Sequence, residues 1–379
     1  MTISRMSHRL IFVFIFGFLS NLSNGICATT QVAEAEISVP KSIQDIVDLI
    51  KQAPTDNKLR DQDLKLLDKE ISNNAKEEEQ YIHYYLQARA AQRLGRINLR
   101  IELLNKSLEH AKPRTQQVLQ TTAELVQAEM QVGNSKKAIA RFEALIEKIP
   151  ITYRGQLLNY ECSLSEAYAG IGDFESAEKH LRECGGVLAS LRDVRLYSLF
   201  GLGWTKNHFS AQAELAFQKG KFFEAETIFR KAIDVFAPQI ENLESIVLSS
   251  GDIDKAPGLG SNERINSNLN GPKESLENLF IRLSETLVKL NKINEAEFYS
   301  RQAFKMSLAR TGKDSISTSN ALRQLAVVML SRERNKDAIY LLHKSLDALS
   351  KCGVTDESIQ LAVTKKTMAA ALISYDRYA

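Results

Sequence analysis

The chain has 379 residues, 44% hydrophobic and 25% charged, with ample apolar material for a continuous core. Lys and Arg number 49 against 46 Asp and Glu, a formal charge of +3 that argues against nucleic acid as a bulk-charge partner and makes any basic site local. Length alone suggests two or three domains, but an array that grows by repetition evades that count.

Arg5, His8 and Arg9 precede an apolar run, Leu10 to Leu19, and a polar stretch ending in Ile26-Cys27-Ala28. A basic start, a short apolar stretch and a small terminal residue predict a secretory signal peptide over 1–28, cleaved after Ala28. The run is well short of the roughly 20 residues a spanning helix needs, so no stable transmembrane span is expected after cleavage. The chain is therefore expected to be exported, periplasmic or extracellular. Residues 29–42 read as a flexible segment. Over 43–80, Ile43, Ile46, Val47 and Ile50, then Leu64, Leu67 and Ile71, recur at helical spacing and predict two capping helices.

From 81 to 250 a small residue, usually alanine, recurs five residues after a turn residue and four before a large apolar one. The clearest phrases are Gly133-x4-Ala138-x3-Phe142, Gly172-x4-Ala177-x3-Leu181 and Gly220-x4-Ala225-x3-Phe229. Glycine suits the left-handed conformation that ends a helix. Small residues twelve apart, such as Ala213 with Ala225 and Ala326 with Ala338, would face each other across an antiparallel helix pair. Pro113, Pro150 and Pro238 mark the ends of units. Arg100 stands where the first unit wants a small residue and Glu129 where the second wants an apolar one, so the N-terminal boundaries are open to a shift. Residues 187–204, with Tyr197, Phe200 and Trp204, read as extended helices rather than a site. Residues 251–273, rich in Gly, Asn, Ser and Pro, read as a long surface loop. A second block follows over 274–379, with Ala296 and Ala338 in register and one closing helix over 359–374.

These phrases resemble tetratricopeptide repeats. The 42-residue interval from Ala296 to Ala338, with Gly312-Lys-Asp314-Ser315 and Thr355-Asp356-Glu-Ser358 at the same interval, is loosely similar to the kinesin light chain type, although that family's His-Pro after the acid is absent. The resemblance implies an all-α, right-handed solenoid of antiparallel helix pairs whose first helices line a concave groove. Matching the C-terminal units to it places Arg282, Glu285, Lys289, Asn320, Arg323, Gln324, Lys365 and Lys366 in that groove or at its rim. Basic residues outnumber acids in this set, which suits an acidic or extended peptide; the alternative is a set of solvated helix positions.

No catalytic constellation stands out: the histidines are scattered, and no phosphate-cradling glycine loop or nucleophile motif occurs. No cofactor or metal is expected. His180 and Cys184 lie one helical turn apart with Cys162 opposite, too little for a metal site. Asp252-x-Asp254 reads as a solvated turn rather than a calcium loop. Cys162 and Cys184 fall near the same end of one predicted pair, so they either pair in an oxidising compartment or pack as small core residues. The reading is a non-enzymatic, exported scaffold for protein–protein interaction, the alternative a subunit of an envelope assembly or secretion machine.

Overall fold

The computed structural model describes residues 40–378 apart from 41, 55–57, 73, 113–114, 148, 195–196, 250–261 and 357. The signal peptide, nearly all of the flexible segment and Asp252-x-Asp254 lie outside the described residues.

The described residues form fifteen α-helices and no strand. Two N-terminal helices, α1 (Gln44–Gln52) and α2 (Lys58–Leu67), precede six helix pairs. The pairs are α3 (Glu77–Arg93) with α4 (Ile97–Glu109), α5 (Gln116–Gln131) with α6 (Ser135–Ile146), and α7 (Arg154–Gly170) with α8 (Phe174–Leu191). They continue as α9 (Tyr197–Gln218) with α10 (Phe222–Ser249), α11 (Asn262–Lys289) with α12 (Ile293–Thr311), and α13 (Ile316–Ser331) with α14 (Asn335–Cys352); α15 (Ile359–Tyr378) closes the array. No helix among the described residues is long and apolar enough to cross a membrane.

Each pair is set by the predicted register. The turn residue is left-handed in all six: Gly95, Gly133, Gly172 and Gly220, then Asn291 (φ 57°) and Glu333 (φ 60°), where a side chain accepts the strain that glycine avoids. The facing pairs twelve apart, Val126 with Ala138, Ala213 with Ala225 and Ala326 with Ala338, are fully buried, and the Ser284 hydroxyl donates to the Ala296 carbonyl across the same gap at 2.9 Å. The N-terminal units keep this register despite their irregular residues. Arg100 is buried in the small-residue position, with Glu124 at 3.6 Å and Gln127 at 3.4 Å. Buried Glu129 is met by Lys137 and Arg141, each at 3.0 Å.

Two expectations about breaks are corrected. Pro238 does not end its unit, because α10 runs through it to Ser249. The predicted 251–273 loop is helical from Asn262, with Gly271 and Pro272 inside α11. The segment 187–204 does extend α8 and α9, and Trp204 lies where a Cβ on Gly155 would come within 2.7 Å of its ring.

First helices touch the first helices of neighbouring pairs, α7 with α9, α11 with α13 and α13 with α15, while α8, α10, α12 and α14 make no comparable contact with one another. The array therefore curves with its first helices inside.

The N-terminal helices hold the two ends of this curve together. Helix α2 caps the first pair: Gln87 donates to the Leu66, Leu67 and Lys69 carbonyls, and Arg93 pairs with Asp63. Helix α1 packs instead on the C-terminal half. Ile43 and Ile46 enter the core shared by α9 to α15, and Arg301 binds Asp45 at 2.6 Å and the Ser42 carbonyl at 3.0 Å. Arg301 also pairs with Glu297, itself fully buried and bound by Arg332 at 2.7 Å. Further along this seam Lys313 donates to the Ala53 carbonyl, Arg60 to the Lys351 carbonyl and the Cys352 thiol to the Arg93 carbonyl. The turn at Gly95 sits so close to Val354 that a Cβ would lie 2.7 Å from it. The first pair thus abuts the last, and the array closes on itself.

Ile46→Ala therefore removes a buried side chain from the C-terminal core and should cost about 2–5 kcal/mol. The urea midpoint of the full chain reads this; an unchanged midpoint would mean that α1 is not docked there.

Candidate functional site on the concave face

Counting back from each pair's small residue gives the columns of the concave face. Eighteen residues before it stand Gln120, Asn159, Asn207, Asn278 and Asn320, a carboxamide in five of the six pairs, all exposed or half-buried. Asn207 donates to the Asn159 Oδ1 at 2.8 Å, so neighbouring pairs bring these amides into contact. Eleven residues before it the column reads Arg89, Gln127, Glu166, Glu214, Glu285 and Val327.

At the N-terminal end, Glu124 draws three side chains together, with its Oε2 left without a hydrogen bond. It accepts from the Tyr85 hydroxyl at 2.6 Å and from Arg89 at 3.0 Å, with Arg100 beyond; Gln120 donates to Tyr85 at 2.8 Å. Burial first, and then the bond to Glu124, raise the Tyr85 pKa well above its ordinary value.

Between α5 and α7 lies a cavity of about 690 Å³. Leu119, Val126, Met130, Phe142 and Tyr160 form its apolar floor, and Gln127, Asn159, Ser163 and Glu166 stand at its polar edge. Tyr160 is anchored by its hydroxyl, which donates to the Leu119 carbonyl at 2.8 Å.

Glu166 makes no hydrogen bond or ion pair with any described residue. Burial, and then repulsion from Glu214, push its carboxyl up to about 7, against the pull of Lys206 and Arg282. Burial lowers the Lys206 pKa, and its ammonium lies 5.2 Å from the centre of the Phe236 ring.

Of the predicted groove residues, the structure draws Arg282, Glu285 and Arg323 into one electrostatic group. Arg282 binds Glu214 at 2.6 Å, binds Glu285, and stacks 4.4 Å above the Phe217 ring. Burial opposes its charge, but Glu285 and Glu214 outweigh that and raise its pKa. It is already neutralised. Arg323 has no hydrogen-bonded partner among the described residues; burial lowers its pKa, and Glu285 offsets this in part. Asn320 is half-buried in the amide column, while Lys289, Lys365 and Lys366 are exposed, Lys365 reaching Asp356 at 3.4 Å. Gln324 is not a groove residue: it is buried, donating to the Ser284 hydroxyl at 3.1 Å between α13 and α11. Glu166 and Glu214, outside the predicted set, add carboxylates to this face beside Lys206, Arg282 and Arg323.

The imagined metal grouping is used otherwise. Cys162 and Cys184 form a disulfide with Cα atoms 5.5 Å apart, and His180 binds Glu161 at 2.7 Å while stacking on Tyr168.

Arg282→Ala leaves Glu214 and Glu285 without their shared cation and should destabilise by roughly 1–3 kcal/mol. Arg323→Ala breaks no bond and should stay within about 0.5 kcal/mol. Urea midpoints of the two variants check this, and equal losses would overturn the assignment of Arg282 as neutralised.

No family model matches the chain, and no curated protein matches it. Among solved structures it is similar to a Rap protein complexed with competence and sporulation factor, at 14% identity over 86% of this chain and 92% of that one, with a TM-score of 0.48. It is also similar to BtubC (BKLC) from P. vanneervenii, at 17% identity over 65% of this chain and 84% of that one, TM-score 0.44. A third likeness is to the Cut9–Hcn1 hetero-tetramer of APC/C, at 16% identity and TM-score 0.41; it covers 83% of this chain but only 46% of that chain. The likeness to tetratricopeptide repeats rests on this chain's own turn, small-residue and helix-pair register.

Proposed function

We propose that this chain is a non-catalytic binding scaffold that holds an extended peptide segment of a protein partner along its concave face. The column of carboxamides at Gln120, Asn159, Asn207, Asn278 and Asn320 carries the reading. An extended backbone offers N–H and C=O groups in alternation, and a carboxamide can both donate and accept. The bond from Asn207 to Asn159 orients both groups and leaves the Asn159 amide protons and the Asn207 oxygen for a ligand. Arg323 supplies one unsatisfied guanidinium for a carboxylate at the C-terminal end, so acidic character belongs to one position of the ligand rather than all of it. Nucleic acid is not the proposed partner.

The test is retention of a random hexapeptide pool by the immobilised full chain, read by mass spectrometry. Replacing Asn159 and Asn207 together by Ala removes two or more hydrogen bonds and should cut retention roughly tenfold. A pool retained equally by this variant would sink the reading.

The scaffold is also proposed to work outside the cytoplasm. The basic and apolar start of the sequence supports this, as does the Cys162–Cys184 disulfide, a bond that persists in oxidising compartments. Alkylation under denaturing conditions of the mature chain recovered from its source should label Cys352 alone. Labelling of Cys162 and Cys184 as well would count against export.

A further inference from the structure

Resting on that peptide reading, we propose that the cavity between α5 and α7 is the selective pocket of the groove and takes a long cationic side chain, lysine or arginine, of the bound peptide. A volume of about 690 Å³ is ample for one or two side chains. Its floor is apolar, and among the described residues Glu124 and Glu166 are its only charged lining residues, with no Lys, Arg or His. The two acids differ. Glu124 holds Tyr85 and Arg89 on its Oε1 with Arg100 3.6 Å from its Oε2, whereas Glu166, half-buried, has no hydrogen bond or ion pair with a described residue. A carboxyl left so beside an apolar floor is poorly satisfied by a neutral apolar side chain and repels an acidic one. Lysine and arginine carry an aliphatic stem for the floor and a cation for the carboxyl.

The register supports the same choice. Asn159, Ser163 and Glu166 fall on one face of α7, at intervals of four and three residues. A peptide backbone held at Asn159 therefore passes about two turns, ~10.5 Å of helix rise, from Glu166, a gap that the Glu166 side chain and a lysine or arginine side chain close between them.

The charged groups facing Glu166 set the pH response. Lys206 and Glu214 come from α9, Arg282 from α11 and Glu124 from α5; His180 on α8 is occupied by Glu161. With its carboxyl at about 7, Glu166 is largely protonated near pH 6 and ionised near pH 8. A cation must displace that proton at the lower pH, so capture of basic peptides strengthens as pH rises through this window.

The experiment uses the full chain and the same random hexapeptide pool, comparing the composition of the retained fraction with the input. The wild type at about pH 8 should enrich Lys and Arg by roughly tenfold, and less at pH 6. Glu166→Gln should retain peptides through the amide column but lose the basic enrichment and its pH dependence. Ser163→Lys, which places a resident cation one turn away, should give the same loss. Retention without basic enrichment, or enrichment that survives in both variants, overturns the pocket while leaving the scaffold reading intact. A pool that the wild type retains no better than the Asn159→Ala/Asn207→Ala variant overturns the peptide reading itself.

Discussion

The contact between residues twelve apart within each helix pair governs this structure. At Ala213 and Ala225, or Ala326 and Ala338, two small side chains let the helix axes approach, and larger neighbours such as Phe229 and Leu342 close over the gap. Replacing one of them with a larger apolar side chain would overpack the pair. Where the chain does carry a large residue there, Arg100, its charge is turned toward Glu124 and Gln127 on the next first helix. Because the close contact fixes rotation as well as distance, every side chain of the concave face sits at a set count from it. The amide column and the Glu166–Glu214–Glu285 column are products of that register.

Much of the fold was legible because its signals are local. A left-handed turn, a small residue five later and a large one four after that lie within one short stretch of sequence, and the units at Gly133, Gly172 and Gly220 carry the phrase whole. The docking of α1 was not, since Asp45 and Arg301 are 256 residues apart and no periodicity links them. Pro238 misled for a different reason. Proline weakens a helix by losing one N–H bond and crowding the preceding turn, a local cost that tertiary packing can override, and α10 packs on both α9 and α11.

The groove was legible only in part. Reading it unit by unit put Gln324 beside Arg282, since both stand fourteen residues before their small residue. The structure separates them because α13 lies close against α11 at Ser284 and buries Gln324, whereas the Arg282 guanidinium escapes over Phe217. Glu166 could not be distinguished from a solvated helix position in the sequence alone. Its environment comes from α5, α9 and α11, and only reading the six units as columns would have set it in line with Glu214 and Glu285. That same reading would have exposed the carboxamides, since four of the five are asparagine at one offset.

Closure of the array and the chemistry of its inner face are connected. A curved array brings inner side chains together, and the bond between Asn159 and Asn207 is a direct sign of that convergence. The curvature is held at the ends by Asp45, Arg301, Glu297 and Arg332, a network with Glu297 wholly enclosed. Removing one member strands a buried charge, so the network is costly to open part-way. The inner face is therefore a preformed surface, and for the peptide proposed above the ordering costs would fall mainly on the peptide. On such a surface a row of amides binds almost any extended backbone, and selectivity has to come from the few charges left unsatisfied. Lys206 also lacks a hydrogen-bonded partner among the described residues, but two such groups of opposite sign stand apart, Glu166 near the α5–α7 cavity and Arg323 toward the C-terminal end. A ligand that satisfies both carries a cation and an anion a fixed distance apart, and reversing its direction places each charge against its like. On the proposed peptide reading, Glu166 and Arg323 would thus select both the composition of the segment and the direction in which it lies.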